Sequence, residues 1–188
     1  MNLFIDTISP KNILFLFNDK KEILLQKNID VRLQESSKLI GEVDLFLKEA
    51  GKTYFDLKKI VVVNGPGSFT WVRTTVLMAN TIAFVVKAEM FGISYFELFD
   101  QYPIIKASSK RDSFIQKNHN SSIEVLQNDS VNEYLEQNNI SKIFWEATFL
   151  ENVESMSEVS YVKVLQKISF NAPQSRIEPL YLKKPNIS

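Results

Sequence analysis

The residues best suited to chemistry lie together in Val63–Thr75, VNGPGSFTWVRTT, where two glycines, a proline and several hydroxyl side chains separate a β-branched run from a helix-like one. A turn of this kind gathers backbone N–H groups at a helix N-terminus and so forms an anion site. It is not a P-loop, which requires Gly-x-x-x-x-Gly-Lys-Ser/Thr so that a lysine and a hydroxyl reach the outer phosphates and magnesium. Nor is it a dinucleotide fingerprint, because Gly65-Pro-Gly67 lacks the third, close-packing glycine and no βαβ unit opens the chain. The alternative is a tight strand-to-helix turn capped by Ser68. Asp6 is the most suggestive carboxylate. With Thr7 it ends the first apolar run, where a fold of this strand pattern holds a metal-bound phosphate; the alternative is a turn aspartate bonding its own backbone in DTISP.

Other reaction classes find little support. His119 is the single histidine, set in the polar run KNHNSS, and reads as an exposed loop residue. A zinc site made of Asp and Glu alone would be unusual. A serine nucleophile would lack a base. Cysteine is absent, which removes disulfides, thiolate metal sites and cysteine nucleophiles together. No catalytic residue, metal ligand or cofactor is therefore assigned. Lys plus Arg and Asp plus Glu number 22 each, so no net positive field draws nucleic acid to the chain, and a connection to RNA is expected to run through a partner. Neither a leader peptide nor an apolar run of roughly 20 residues is evident. A cytoplasmic protein without a membrane anchor is expected.

The elements that must position these residues follow from periodicity. Residues 2–7, 12–18 and 21–28 are apolar, β-prone runs on short polar turns and predict an antiparallel meander. Leu39, Val43, Phe46, Leu47 and Ala50 recur at helical spacing before Gly51, giving a helix over 35–50 with a glycine stop. Residues 57–64, LKKIVVVN, form a buried strand that is a parallel neighbour of the first. A second helix over 68–87 has Val72, Val76, Ala79, Ala83 and Val86 on one face. Phe69, Leu77 and Phe84 lie off that face, so this helix should touch more than one surface. Further on, a hairpin around Lys110 and Arg111, a Ser130-capped helix over 130–139 and a strand over 141–147 are expected. Lys106, Lys110 and Arg111 read as a solvated turn, and no internal repeat is visible. The division expected is an N-terminal lobe over 1–98 and a smaller, reduced lobe over 99–188.

FIDT in the first strand, two more antiparallel strands, an amphipathic helix ending EAG, then DLKKIVVVNGPGSFTWVRT and, near the end, IEPLYLKKP together resemble the TsaB (YeaZ) family of transfer RNA threonylcarbamoyladenosine biosynthesis. That family's signature reads Gly-Pro-Gly-Ser-Phe-Thr-Gly, then Val or Leu and Arg; Gly65, Pro66, Gly67, Ser68, Phe69, Thr70 and Arg73 match it, and Trp71 does not. The resemblance implies an actin-like, RNase H-like α/β fold, with a mixed five-stranded sheet and helices in the N-lobe. It also implies a catalytically inert scaffold that activates a TsaD-type subunit as a heterodimer, forms a homodimer when alone, meets transfer RNA only indirectly and has a TsaE-type ATPase as a further candidate partner. Leu39, Val43, Phe46, Leu47, Val72, Val76, Ala79 and Ala83 are the candidate apolar faces, shared between core and interface, and Arg73 a candidate anchor for the loop or the partner. Two alternatives of other classes are a small nucleotide-binding ATPase using Asp6, Thr7 and the 65–70 loop, and a metalloprotease, against which the single histidine argues.

Trp71 replaces a glycine in the first turn of a helix, where an indole should be pushed outward or force backbones apart. Trp145, in KIFWEA, likewise stands where the family shows a glycine-rich turn. These are the chain's two tryptophans, and its five glycines fall well short of the usual share of about 7%. The expectation is that both codons are UGA, reassigned to glycine. Sequencing the gene checks it: a UGG at either position removes the idea for that residue.

Overall fold

The computed structural model describes residues 1–29, 38–140, 144–145, 154–155 and 158–183. They form two compact units, residues 1–95 with 162–181, and residues 96–161 with 182–188. The segment 162–181, placed with the second lobe from sequence, therefore groups with the first.

In the first unit, β1 (Asn2–Asp6), β2 (Ile13–Phe17) and β3 (Ile23–Asn28) make the antiparallel meander, and β4 (Lys59–Val63) pairs parallel with β1. A fifth strand that periodicity did not disclose, β5 (Glu89–Ile93), runs parallel to β4 and completes the order β3-β2-β1-β4-β5. Its short run is interrupted by Gly92, so its strand character comes from pairing rather than from pattern. Alternating side chains of the central strands divide between two faces. Leu3, Ile5, Leu14, Leu16, Ile60 and Val62 share one core cluster with both helices. On the opposite face Phe4 stacks on Phe15 at 4.4 Å, and Phe170 lies 5.8 Å from Phe17 and edge-on to Phe91 at 4.9 Å.

Helix α1 (Leu39–Glu49) lies within the expected span; residues 35–37 of that span are outside the described residues. It ends as expected: Gly51 has φ 65°, its N–H donates to the Lys48 carbonyl at 2.9 Å, and the Lys52 N–H reaches the Leu47 carbonyl at 2.8 Å. Only a residue at ease in the left-handed region closes a helix this way cheaply. Helix α2 (Phe69–Val86) buries Trp71, Val72, Thr75, Val76, Ala79, Ile82 and Ala83. Contrary to the sequence reading, this helix is long and apolar enough by itself to cross a membrane, with mean hydropathy 1.4 over 18 residues. Its buried face is committed to the sheet, which it meets along β4 and β5.

The second unit repeats the topology. β6 (Ile104–Ala107), β7 (Asp112–Gln116) and β8 (Glu124–Gln127) form an antiparallel meander; β9 (Phe144–Trp145) pairs parallel with β6, and β10 (Glu154–Ser155) parallel with β9. The order β8-β7-β6-β9-β10 matches that of the first sheet strand for strand, with α3 (Val131–Gln137) in the place of α1. The chain is thus a structural duplication that no sequence repeat announced. Between its two parallel strands β9 and β10 lie residues 146–153, where the first unit has residues 64–88 between β4 and β5. Ser130 precedes α3 without a side-chain capping bond. Lys106, read as part of a solvated turn, is buried in β6, whereas Lys110 and Arg111 are exposed. The Lys183 ammonium donates to Asp112, and this bond holds the Asp112 carboxyl below the usual carboxylate range. The last helix, α4 (Tyr161–Lys167), contributes buried Val164 and Leu165 to the first unit, and Lys21 donates to the Gln166 and Ile168 carbonyls at its C-terminal end, at 3.2 and 2.9 Å.

Candidate functional site

The signature loop links the end of β4 to the start of α2, and its environment is supplied largely by residues more than 100 positions away. The Asn64 carbonyl accepts from the Leu180 N–H at 2.8 Å, and the Asn64 side-chain amide donates to the Glu178 carbonyl at 2.9 Å. Gly65, at φ 129°, lies so close to this C-terminal strap that a Cβ would stand 2.7 Å from the Leu180 carbonyl oxygen. Glycine is required here on both counts. At Gly67 a Cβ would meet Ile8 at 3.0 Å. The Gly65–Pro66 peptide is cis, and the Gly65 carbonyl accepts from Tyr95 N–H at 2.6 Å.

The strap is pinned at further points. Asn80 of α2 donates through Nδ2 to the Ile177 carbonyl and accepts through Oδ1 from the Ile177 N–H, each at 2.9 Å. The side chain of Ile177 is fully buried in the core. Gln174 accepts from the Gly92 N–H through its side chain and donates its own N–H to the Met90 carbonyl, again at 2.9 Å each. Sequence reasoning missed Asn80, Gln174 and Ile177. One signal was available for the first: an amide midway along an otherwise apolar helix face needs a partner.

Asp6 and Thr7 lie at the end of β1, fully buried and nearly so. One oxygen of Asp6 accepts from the N–H groups of Ile8 and Ser9, at 2.8 and 3.0 Å, and the other accepts from the Ser9 hydroxyl. This is the turn aspartate that DTISP allowed. The Thr7 and Thr75 hydroxyls bond each other at 2.7 Å, joining β1 to α2. Ser68 stands at the N-cap of α2 but makes no side-chain capping bond, which corrects the capping expectation; its carbonyl accepts from Val72 N–H at 2.9 Å. Phe69, Thr70 and Arg73 are exposed. Among the described residues no three His, Asp or Glu side chains converge, and His119 is an exposed residue of the β7–β8 turn.

The eight candidate interface residues, Leu39, Val43, Phe46, Leu47, Val72, Val76, Ala79 and Ala83, are all buried between helices and sheet. They belong to the core. The apolar surface left open on the same helices consists of Ile40 and Leu45 on α1 and of Phe69, Leu77, Phe84 and Val85 on α2, with Leu77 64% and Phe84 86% exposed. These positions face away from the sheet, whereas the eight selected by periodicity, offered as shared between core and interface, lie in the core. Phe69 stacks on Tyr181 of the strap, centroids 4.9 Å apart. Between α2 and the strap runs a groove of about 590 Å³ lined by Phe69, Arg73, Leu77, Phe84, Arg176 and Tyr181, among others. Trp71 is another correction: its indole is not turned outward but lies 5% exposed in the core cluster. Trp145 is the second residue of β9.

The topology and the loop define the actin-like, RNase H-like class of α/β protein. The comparisons agree. Residues 32–106 match the family described as TsaD: tRNA N6-adenosine threonylcarbamoyltransferase. In structure the chain is similar to YeaZ from Pseudomonas aeruginosa, at 20% identity over 70% of this chain and 69% of that one, with a TM-score of 0.54. It is also similar to an uncharacterized protein with similarity to peptidase YeaZ from Pseudomonas aeruginosa, at 16% identity over 97% and 100% of the two chains, with a TM-score of 0.70. No curated protein matches the chain in sequence. The fold is therefore of the TsaD/YeaZ type, and the resemblance to the YeaZ (TsaB) family holds in structure as in motif.

Replacing Asn80 by Ala leaves the Ile177 peptide group without its two bonds and is expected to lower stability by about 1–3 kcal/mol. Urea unfolding measures the loss, and amide hydrogen exchange should rise first within 174–181. Replacing Trp71 by Gly empties a core position and is expected to cost about 3–5 kcal/mol in the same assay. Unchanged or increased stability would instead favour glycine as the natural residue.

Proposed function

We propose that the chain is a scaffold and activating subunit in the synthesis of threonylcarbamoyladenosine in transfer RNA, and that it acts by docking a TsaD-type catalytic subunit. The carrying observation is the division of α2 into two apolar faces. One is buried on the sheet; the other leaves Phe69, Leu77, Phe84 and Val85 exposed beside the signature loop. Exposed apolar surface of this continuity marks an interaction face. The sequence match to the threonylcarbamoyltransferase family and the structural likeness to YeaZ supply the pathway.

The site geometry supports a partner role over direct chemistry. The close approach that Gly65 permits is taken by the chain's own Leu180, and the oxygens of Asp6 are engaged by its own turn. A phosphate cradle would need those loop and carboxylate groups turned toward the ligand. The assignment carries with it a cytoplasmic setting, contact with transfer RNA through the partner, a TsaE-type ATPase as a third component and self-association of the isolated chain.

The test is co-purification with the TsaD-type protein of the same genome, followed by size-exclusion chromatography with light scattering. A one-to-one complex is expected, with threonylcarbamoyl transfer that neither subunit supports alone. Persistence of the separate species at micromolar concentration would refute the assignment. The isolated chain run in parallel reports self-association.

A further inference from the structure

Asn64–Gly65 is the only Asn–Gly pair in the chain. An asparagine followed by glycine is the point of a polypeptide most labile toward loss of side-chain ammonia, because no Cβ on the next residue shields its main-chain nitrogen. In this molecule the pair is also where the strap grips the loop. We propose that Asn64 is a self-modification site governed by the strap: docked, the strap keeps the asparagine intact, and once Asn64 has deamidated the strap no longer seats on the loop.

The reaction needs only water. The Gly65 nitrogen, its proton taken up by hydroxide, attacks Cγ of Asn64. The N–Cγ bond forms, the Cγ–Nδ2 bond breaks, and Nδ2 leaves as ammonia with a proton from water. A second water then opens the cyclic imide. Opening at the side-chain carbonyl leaves an aspartyl residue; opening at the main-chain carbonyl leaves an isoaspartyl link, with one more carbon in the backbone. Nothing is oxidised or reduced.

Cγ can meet the Gly65 nitrogen only if the side chain turns on its own main chain, and three bonds oppose this. Asn64 Nδ2 donates to the Glu178 carbonyl at 2.9 Å, the Asn64 carbonyl accepts from the Leu180 N–H at 2.8 Å, and the Asn64 N–H donates to the Ile93 carbonyl at 2.9 Å. The first two come from the strap. Asn64 is thus partly exposed to water yet held, and reaction falls to the molecules in which the strap has opened locally. That opening is resisted on either side of residues 178–180, by the two Asn80 bonds to Ile177 and by the Phe69–Tyr181 stack.

The product cannot restore the contact. An amide that donates has become a carboxylate that only accepts, set against the Glu178 carbonyl, itself an acceptor. In the isoaspartyl form the added carbon displaces Gly65 from a fit so close that a Cβ would stand 2.7 Å from the Leu180 carbonyl oxygen. The loop therefore keeps a permanent record of strap opening. Asn120, bonded within its own exposed turn to Asn118 and His119 and followed by Ser121, offers an internal reference.

The experiment follows deamidation of the full chain by peptide mass mapping in mildly alkaline buffer, folded and in urea, for wild type, Asn80→Ala and Tyr181→Ala. Asn64 is expected to react at least about tenfold more slowly in the folded chain than in urea, and at least about fivefold faster in folded Asn80→Ala than in folded wild type, with Asn120 unchanged between variants. Tyr181→Ala, an exposed-site change, gives the same reading if Asn80→Ala does not fold. Asn64→Asp is expected to raise amide hydrogen exchange within 174–181 at least about tenfold while circular dichroism is retained. If that variant does not fold, the deamidated fraction of aged wild type, separated by ion exchange, takes its place. Absence of Asn64 deamidation in urea overturns the site. Equal rates folded and in urea, or loosened variants that react no faster than wild type, overturn control by the strap. Unchanged exchange within 174–181 after deamidation overturns the loss of seating. Each of these results leaves the proposed function standing, since none involves a partner.

Discussion

The hydrogen bond from the Leu180 N–H to the Asn64 carbonyl closes a contact that can form only because Gly65 has no side chain. Two segments separated by more than a hundred residues meet there, and each supplies what the other lacks. The loop leaving β4 has a carbonyl, that of Asn64, which the strap satisfies. In return the strap gains fixed points at Asn64, Asn80 and Gly92 and inserts Ile177 into the core. The loop that looked like a phosphate cradle is, in this molecule, a socket for its own C-terminal segment.

That socket sets what α2 can present. With its first turn placed by the loop and its sheet face filled from Trp71 to Ala83, the helix exposes a stripe in which one charge is set among apolar side chains. The strap runs beside this stripe and adds Tyr181 to it, so loop, strap and helix form one continuous surface within the first unit. This open apolar stripe is the observation on which the proposed partner role rests.

The second unit carries the same strand order on a smaller scale. Its meander, helix and parallel strands follow the plan of the first. The duplication is invisible in sequence because strand pairing constrains only which positions are apolar, and many side chains meet that requirement.

The amino-acid sequence by itself determined the meander, the parallel partner of β1, both long helices and the Gly51 stop, because each rests on local periodicity or on a backbone conformation one residue type adopts cheaply. It also marked Phe69, Leu77 and Phe84 as lying off the main face of α2. Tertiary structure alone decided which apolar stripe is core and which is open. The eight residues selected by spacing are buried because the sheet covers that stripe, and spacing is blind to which stripe is covered. It likewise decided that β5 is a strand, that the Trp71 indole lies inside, and that Asn80 and Gln174 hold the strap. Each of these depends on an atom contributed from a distant part of the chain, and a hydrogen bond or packing contact across such a separation leaves no period in the sequence to read.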